Sequence, residues 1–360
     1  MKRTKEKGKI GKFLERKNII FSGKRYGIDA LGAMAQGLFA SLLIGTIVAT
    51  ACTQLGIAFL TTIGNYAKST YVVGAAMAIS IGYALQAPQL VLFSLVTVGA
   101  AANELGGAGG PLAVLVVSVF ASEFGKLVSK ETKIDILVTP FVTIAVGIGL
   151  SVWWAPAIGT AASSVGSLIM WATELRPFFM GILVSVIVGI ALTLPISSAA
   201  ICSALGLTGL AGGAAVAGCC AQMVGFAVMS FKENKWGGLI SQGIGTSMLQ
   251  MGNIIKNPRV WIPPILASAI TGPIATCLFH FEMNGPAISS GMGTCGLVGQ
   301  IGVYTGWIND IAEGSKSAIT AMDWIGMVLI CFVLPALLSL LFGSILRKIG
   351  WIKDGDLKLD

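Results

Sequence analysis

The sequence predicts an all-α integral membrane protein with about ten membrane segments, some of them re-entrant. Of its 360 residues, 55% are hydrophobic and only 11% are charged, and the mean hydropathy is +0.84. Soluble domains carry about 25% charged residues. The apolar residues also form runs of about 20 or more, which is the length that a helix needs to cross a bilayer. This composition excludes a soluble enzyme, a secreted toxin and a nucleic-acid-binding protein.

The chain begins with a basic segment, residues 1–30, in which ten Lys and Arg residues alternate with apolar residues such as Ile10, Phe13 and Leu14. This pattern predicts an amphipathic helix on the inner leaflet, or a solvated tail that only fixes topology. The closing segment, 347–360, is also rich in Lys and Arg. The positive-inside rule then places both termini in the cytoplasm of a bacterial inner-membrane protein, so we expect an even number of spans.

Between these ends the chain divides into an N-terminal membrane part, 31–176, and a C-terminal membrane part, 177–346. Eight apolar runs are long enough to cross a bilayer. Three further stretches are too short, too polar or too Gly-rich for a lipid-facing span, and we interpret them as re-entrant. The eight runs are 31–63, 71–102, 111–129, 134–155, 178–200, 208–231, 259–281 and 319–346, and the three stretches are 157–173, 238–252 and 285–308.

Several stretches combine Gly, Pro and polar side chains at membrane depth, and all of them fall in 177–346. Irregular backbone is tolerated there only where protein buries it or where it lines a water-filled cavity. We therefore predict a solute cavity in the C-terminal membrane part. The stretches are 194–198, 250–253, 256–259, 262–264 and 282–286.

Glu282 is the first candidate for the site, together with its neighbours His280 and Asn284. A carboxylate beside an amide can accept hydrogen bonds from paired hydroxyl groups, as the binding of a polyol or sugar requires. Ionisable groups at membrane depth are costly and therefore need a partner or a purpose. A structural interpretation stays open, in which Glu282 caps the hairpin helix or pairs with Lys256 or Arg259.

The other candidates are polar side chains beside the broken segments. For Asn253 and Asn257 an alternative role stays open, in which these amides bond backbone groups that are freed next to Pro258. Glu123 and Lys126 are three residues apart and are interpreted as a structural ion pair on one helix face. With one His and no paired Cys spacing, we expect no metal site and no cofactor. The further substrate-binding candidates are Gln250, Asn253, Asn257, Ser197 and Ser198.

The motifs of the C-terminal part resemble a known family. They are LPISSAAI at 194–201, QMVGF at 222–226, GTSMLQ at 245–250, KNP at 256–258 and MGTCGLVG at 292–299. Together they resemble the integral-membrane EIIC component of bacterial phosphotransferase systems. The similarity is greatest to the stand-alone branch whose members are labelled perfringolysin O regulator-like.

The resemblance implies a homodimer in which 31–176 supplies the dimer contact, while two re-entrant hairpins in 177–346 hold a sugar and carry it by a rigid-body shift. Glucose-type members bind sugar through a Glu in a Gly-Ile-Thr-Glu segment, which this chain lacks. Glu282 is the candidate in its place. Because the chain shows no EIIA or EIIB domain, we expect separate EIIB and EIIA proteins to supply the phosphoryl group.

The sequence therefore predicts a multi-pass carrier of the EIIC type that translocates a sugar or sugar-like solute by alternating access. As an enzyme it would be at most the membrane subunit of a sugar phosphotransferase. Two alternatives stay open. One is a membrane sensor or regulator with this fold and little transport, and the other is an ion-coupled secondary transporter that uses Glu282 and His280.

Overall fold

The computed structural model describes residues 9–54 and 56–359, and in these residues the regular structure is helical. The β pairing found there is one isolated antiparallel bridge between Gly209 and Met283. The prediction of an all-α protein is confirmed. Residues 1–8 of the predicted basic segment lie outside the described residues.

The helices of the first part begin with a short amphipathic helix and end with a very long one. Their bounds are α1 Lys9–Arg16, α2 Ala30–Leu38, α3 Ile44–Gln54, α4 Ala58–Ala67, α5 Thr70–Ala84, α6 Gln89–Gly106, α7 Gly110–Val128 and α8 Asp135–Thr173.

The second part contains shorter helices with several interruptions. Their bounds are α9 Pro177–Thr193, α10 Ser198–Ala204, α11 Gly209–Met229, α12 Phe231–Ile240, α13 Met251–Lys256, α14 Ile262–Pro273, α15 Val298–Ala312, α16 Ala321–Val328 and α17 Leu334–Lys348.

Six helical stretches in the described residues are long and apolar enough to cross a membrane, and α5 and α9 are shorter apolar helices. One of the six, Gln89–Val128, is bent back on itself, because Gly107 has φ +49° and a Cβ on Gly110 would lie 2.4 Å from Asn103 Oδ1. This stretch is therefore two packed helices, α6 and α7. The six stretches are Arg25–Ala49, Gln89–Val128, Asp135–Thr173, Gly209–Met229, Pro258–Leu278 and Ala321–Lys348.

The run 31–63 does not form one span. Helices α3 and α4 pack against each other, and a Cβ on Gly64 would lie 2.6 Å from the carbonyl oxygen of Gly45. Helix α4 ends at Ala67, and α5 begins at Thr70 after Lys68 and the extended residue Ser69. Helices α4 and α5 together thus form a crossing that is interrupted at Lys68 and Ser69.

The prediction that 157–173 is re-entrant is wrong. This stretch continues α8, whose 39 residues span about 58 Å at 1.5 Å per residue. The hydroxyls that made it look too polar bond within the helix: Thr160 donates to the carbonyl of Pro156 and Ser163 donates to that of Gly159. A hydroxyl bonded to its own helix leaves no polar group that must avoid lipid.

The other two predicted re-entrant stretches do return to the face they enter from. Residues 284 and 310 meet through hydrogen bonds of 3.0 and 3.1 Å from Asn284 Nδ2 to Asp310, so 285–308 is a hairpin. Asn234 and Asn253, at opposite ends of 238–252, both bond to the C-terminal residues 357–359.

A third hairpin is formed by α9 and α10. It starts beside Thr276, whose hydroxyl donates to the carbonyl of Pro177, and it returns to Gly209, which pairs with Met283. We call the returning arm of this third hairpin, residues 194–208, hairpin A. Residues 284–312 are hairpin B, and residues 231–257 are the opposite hairpin.

With α6 and α7 counted separately and with the α4–α5 pair added, the described residues contain eight helical passes that could cross a membrane, together with the three hairpins. Because the number of crossings is even, both described ends of the chain lie on one face. There a Cβ on Gly252 would lie 3.3 Å from Ile28 Cγ2, and Asn253 bonds to the carbonyl of Lys358. Helix α11 is the centre of the second part, and 94% of its most apolar segment is buried.

Candidate functional site

A cavity with a volume of about 640 Å³ lies between the two membrane parts. Helices α3 and α4 and the π-helical turn before α3 form one wall, and hairpins A and B form the other. Hydroxyl and amide groups and one ammonium group interrupt a lining that is otherwise apolar. The polar side chains of the lining are Thr46, Thr61, Asn65, Lys68, Ser197, Ser289 and Thr305.

Two further spaces adjoin this cavity. A lobe of about 480 Å³ shares Leu42, Lys68, Ser197 and Ala200 with it and extends to the ends of α5 and α6. A small apolar recess of about 60 Å³ also includes Leu42 and Ser197 and reaches Thr246 in the opposite hairpin. Ser197 and Leu42 therefore line all three spaces.

The local sequence explains why Ser197 stands at this position. Pro195 disfavours a helical conformation at the preceding residue, and Leu194 is extended with ψ 158°, which ends α9. Ser197 Oγ accepts a hydrogen bond of 3.2 Å from the amide of Ala200 and caps α10. The amide of Ser197 donates to the carbonyl of Ala108 at 2.8 Å, which ties hairpin A to the first membrane part.

Ser198 faces the other way and joins the two hairpins. Its hydroxyl is buried and donates to the carbonyl of Gly291 at 2.7 Å. A Cβ on Gly291 would lie 2.6 Å from the backbone of Ser198, so only glycine permits this approach. Hairpins A and B are thus fixed to each other at the edge of the cavity.

Charge is distributed unevenly in the cavity. Lys68 is the one ionisable side chain that lines the 640 Å³ cavity in the described part of the chain. Glu104 lines only the adjoining lobe, where its Oε1 accepts a hydrogen bond of 2.6 Å from the hydroxyl of Tyr71. Asn103 Nδ2 in the same lobe donates to the carbonyl of Thr70 at 2.8 Å.

A buried polar network lies in the interior of the second membrane part, where α9, α11, α14 and the opposite hairpin meet. Gln222 Oε1 accepts from Trp261 Nε1 at 2.7 Å and from Thr193 Oγ1 at 3.3 Å. The hydroxyls of Thr193 and Ser247 are 2.8 Å apart, and Gln222 Nε2 donates to Ser268 at 3.3 Å. The motifs QMVGF and GTSMLQ therefore meet in space.

Glu282 and Asn284 lie outside this cavity. Asn284 Nδ2 donates to Glu282 Oε2 at 3.1 Å and to both oxygens of Asp310. Glu282 and His280 line a separate pocket of about 60 Å³ with Trp307 and Asp310, and no residue is common to this pocket and the cavity. In this structure the carboxylate closes the base of hairpin B.

The amides Gln250, Asn253 and Asn257 lie at the opposite face, where they hold the C-terminal residues. Gln250 Nε2 donates to the carbonyl of Leu357 at 3.0 Å, Asn253 Nδ2 donates to that of Lys358 at 2.9 Å, and Asn257 Nδ2 donates to that of Trp351 at 2.9 Å. We call this contact, with residues 350–359, the tail clasp.

On that face, charged groups reinforce the first and last segments of the described residues. A hydrogen bond from Lys232 and its positive charge lower the pKa of Asp354 in the tail. A hydrogen bond from Lys17 likewise lowers the pKa of Glu131 and holds the segment after α1 against the α7–α8 loop. The predicted pair of Glu123 and Lys126 is confirmed, with a distance of 2.8 Å between Oε1 and Nζ.

The structure thus separates the eight predicted site residues into three groups. The first group is at the cavity, which Ser197 lines and which Ser198 stabilises by joining the two hairpins. The second group lies at the base of hairpin B and consists of His280, Glu282 and Asn284. The third group lies in the tail clasp and consists of Gln250, Asn253 and Asn257. Sequence reasoning missed the wall from the first part, above all Lys68. Its signal was an isolated Lys in the gap between the apolar runs 31–63 and 71–102.

In the described residues, no three His, Cys, Asp or Glu side chains converge as a metal site would require. Comparison with known families matches residues 28–359 to the family described as "Phosphotransferase system, EIIC". No curated protein matches the chain significantly, and no solved structure does so.

Proposed function

We propose, from the premise that this chain belongs to the phosphotransferase system EIIC family, that it binds a sugar or sugar-like solute in the 640 Å³ cavity and translocates it by alternating access. Family membership makes the chain a multi-pass membrane component of such a transport system. The observation that carries the finer proposal is the convergence of hairpins A and B and the interrupted α4–α5 crossing on one cavity. In transporters, solute sites are built where helices are discontinuous.

The lining of the cavity matches the chemistry of a hydroxyl-rich solute. Sugar hydroxyls both donate and accept hydrogen bonds, and the hydroxyl of Ser197 and the amide of Asn65 can do the same. The volume of about 640 Å³ lies within the range of about 300–1,000 Å³ that is usual for small-molecule sites. Apolar residues such as Leu42 and Met292 line the remainder and limit the number of polar contacts.

The hydrogen bonds support a rigid-body mechanism. Ser198 ties hairpin A to hairpin B, so these hairpins can move together against the first membrane part. The bond between the amide of Ser197 and the carbonyl of Ala108 joins the two parts and would break in that movement. Alternating access then exposes the same site to each side in turn.

The other candidate residues have roles at the two ends of the path in this proposal. The bonds that join Glu282, Asn284 and Asp310 hold the entrance of hairpin B, with His280 beside them. Gln250, Asn253 and Asn257 hold the opposite hairpin closed through the tail clasp. The first group affects entry of the solute, and the second group affects its release.

Phosphorylation is proposed to take place on the face that carries both ends of the chain, with the phosphoryl group passing from a separate EIIB protein to a solute hydroxyl. The positive-inside rule makes this face cytoplasmic in a bacterial inner membrane, because Lys17, Arg25, Lys232 and Arg347 gather there. A homodimer that pairs through residues 31–176 is also part of the proposal. The observation that supports a homodimer is that only 22% of the most apolar segment of α8 is buried in the single chain.

Solute binding by the purified protein in lipid nanodiscs tests the proposal. A panel of hexoses, polyols and sugar acids is screened by thermal stabilisation, and the affinity of the best ligand is measured for Ser197→Ala and Glu282→Gln. Loss of a buried hydrogen bond costs about 1–3 kcal/mol, so Ser197→Ala should weaken binding at least about fivefold. Glu282→Gln should slow uptake more than it weakens equilibrium binding.

Ser164→Ala is the matched control, because Ser164 is exposed on α8 and bonds only within its own helix. If Ser197→Ala binds with unchanged affinity, the solute does not lie in this cavity. If Glu282→Gln instead abolishes equilibrium binding, the site belongs at the base of hairpin B.

A membrane regulator is the second candidate, and the observation that favours it is the surface around α1. Ile10 and Phe21 are 77% and 78% exposed beside basic side chains, while Arg16 and Lys17 anchor this segment to Glu131. Such a surface suits anionic lipid or a cytoplasmic protein. Deletion of residues 2–16 that preserves uptake but abolishes a transcriptional response would favour the regulator.

A further inference from the structure

We propose that the 640 Å³ cavity selects an anionic, hydroxyl-rich solute, namely a polyol or sugar that carries a carboxylate or phosphate group, and that Lys68 binds that group. This inference rests on the proposed function, since it names the class of solute for the same cavity. A neutral sugar needs no fixed charge, whereas this cavity contains an ammonium group without a carboxylate in its lining.

The position of Lys68 suits a binding role better than a structural one. It lies in the break between α4 and α5, and it lines both the 640 Å³ cavity and the adjoining lobe. No carboxylate of the described residues lies within ion-pair distance of its ammonium group, although other Lys side chains such as Lys126 and Lys316 have such partners. A carboxylate or phosphate ligand would supply the missing partner through charge-assisted hydrogen bonds.

The backbone beside Lys68 adds a second favourable feature for an anion. Helix α5 has 15 residues, and the side chain of its N-cap residue Ser69 makes no capping bond. The first amides of the helix at Thr70 and Tyr71 therefore have no side-chain acceptor from that residue, and both residues line the adjoining lobe. The positive end of the helix dipole favours negative charge beside Lys68, and in the adjoining lobe Glu104, which bonds to the hydroxyl of Tyr71, already supplies one negative charge.

The one carboxylate nearby does not cancel this preference in the larger cavity. Glu104 is exposed, lines only the adjoining lobe and accepts a bond from Tyr71. Around the larger cavity, Thr46 and Thr305 donate their hydroxyl protons to the carbonyls of Leu42 and Ile301, and their oxygens can still accept hydrogen bonds from the solute. The hydroxyl of Ser197 can donate to it. The arrangement therefore separates a site for the anionic group from a site for the polyol.

Cysteine labelling measures the charge of the cavity and requires no bound solute. Ser197→Cys places a thiol in the cavity, and Thr305→Cys is a second position in case the first variant does not fold. Six of the seven native Cys are buried, and Cys277→Ser removes the exposed one. Rates of reaction are compared for an anionic and a cationic methanethiosulfonate reagent of similar size.

We expect the anionic reagent to react faster, and we expect Lys68→Gln to reduce its relative rate by about tenfold, which corresponds to about 1.4 kcal/mol, because the variant removes one positive charge at short range. Lys68→Arg should retain the preference. Lys133→Gln is the control, because Lys133 is exposed in the α7–α8 loop. Equal rates for both reagents, unchanged in Lys68→Gln, would overturn the charge inference.

Protection of the same thiol identifies the solute class. The probes are glucose and sorbitol as neutral solutes, gluconate and glucuronate as carboxylates, and glucose 6-phosphate as a phosphate. Protection by an acid probe that weakens at least about tenfold in Lys68→Gln supports the inference, and the better acid distinguishes carboxylate from phosphate. Protection by neutral probes alone overturns the charge inference but leaves the proposed function. If no probe protects either thiol, both proposals fail.

Discussion

Gln222 accepts a hydrogen bond of 2.7 Å from the indole of Trp261 in the interior of the second membrane part. This bond joins α11 to the start of α14, just after the opposite hairpin. Gln222 is fully buried and also bonds to Thr193 and Ser268. Trp261 therefore has a structural role in the interior of the second membrane part.

Gln222→Leu should destabilise the protein by about 1–3 kcal/mol, because it leaves buried partners unpaired. Trp261→Phe should cost less, since Gln222 retains its other bonds. Thermal unfolding in detergent measures both, with Trp153→Phe as the control on the exposed face of α8. A double mutant whose loss equals the sum of the single losses would show that the two side chains are not coupled.

Close packing around α11 gives a second prediction. A Cβ on Gly213 would lie 1.6 Å from the carbonyl oxygen of Phe281, so Gly213→Ala must push the 281–283 segment away from α11. We expect a loss of about 1–3 kcal/mol or more from this overpacking.

Gly149→Ala is the matched change, because a Cβ there meets nothing within 4 Å and alanine favours a helix more than glycine does. It should be neutral or slightly stabilising in the same melting experiment. Equal destabilisation by both substitutions would contradict the close contact between Gly213 and Phe281.

Some of this architecture could be predicted from the sequence, and the reasons are local. Pro195 ends α9, and the Gly-rich run at 285–308 marks hairpin B, because broken backbone leaves a signature in a few consecutive residues. Lys68 could not be assigned to the cavity in this way. Its place opposite Ser197 depends on how two distant parts of the chain pack.

The sequence pattern predicts that the amide residues bind substrate. It does not reveal their observed hydrogen-bond partners, because these partners are also distant in the chain. Asn253 and Asn257 carry the residue types of a sugar site, but their partners are the carbonyls of Lys358 and Trp351, about 100 residues further along the chain. Sequence spacing does not reveal such a partner. The same holds for Asn284, whose bond to Asp310 spans hairpin B.

The tail clasp should control access to the opposite hairpin. Leu357 is fully buried, and its carbonyl accepts from Gln250, so Leu357→Ala should cost about 2–5 kcal/mol if the site does not collapse and should release residues 350–359. Hydrogen exchange of 238–257 and limited proteolysis of the tail measure the release. Lys353→Ala is the control, since this side chain is exposed. Unchanged exchange in Leu357→Ala would separate the tail from the hairpin.

The clasp should also depend on pH through Asp354. Bonds from Lys232 and Arg347 lower the pKa of this carboxyl below its ordinary 3.8. A lowered folded-state pKa stabilises the docked tail above that ordinary value, and the contribution is lost as the pH falls through the folded-state pKa. Trp351 fluorescence should therefore report a loosening below about pH 4 that is absent in Asp354→Asn. The same transition in both proteins would assign it to other groups.

The base of hairpin B provides the last prediction, because Asn284 stands between two carboxylates. Its amide donates to Glu282 and to Asp310, so it both bridges the ends of the hairpin and reduces the repulsion between two like charges. Asn284→Asp keeps the size of the side chain but replaces the donor with a third carboxylate. We expect this variant to open the hairpin, to slow solute uptake and to recover as the pH is lowered. Asn284→Ala removes the bridge without adding charge and should show a smaller defect with little pH dependence. Uptake measured between pH 5 and 8 distinguishes the two variants, and identical profiles would mean that charge does not hold this entrance.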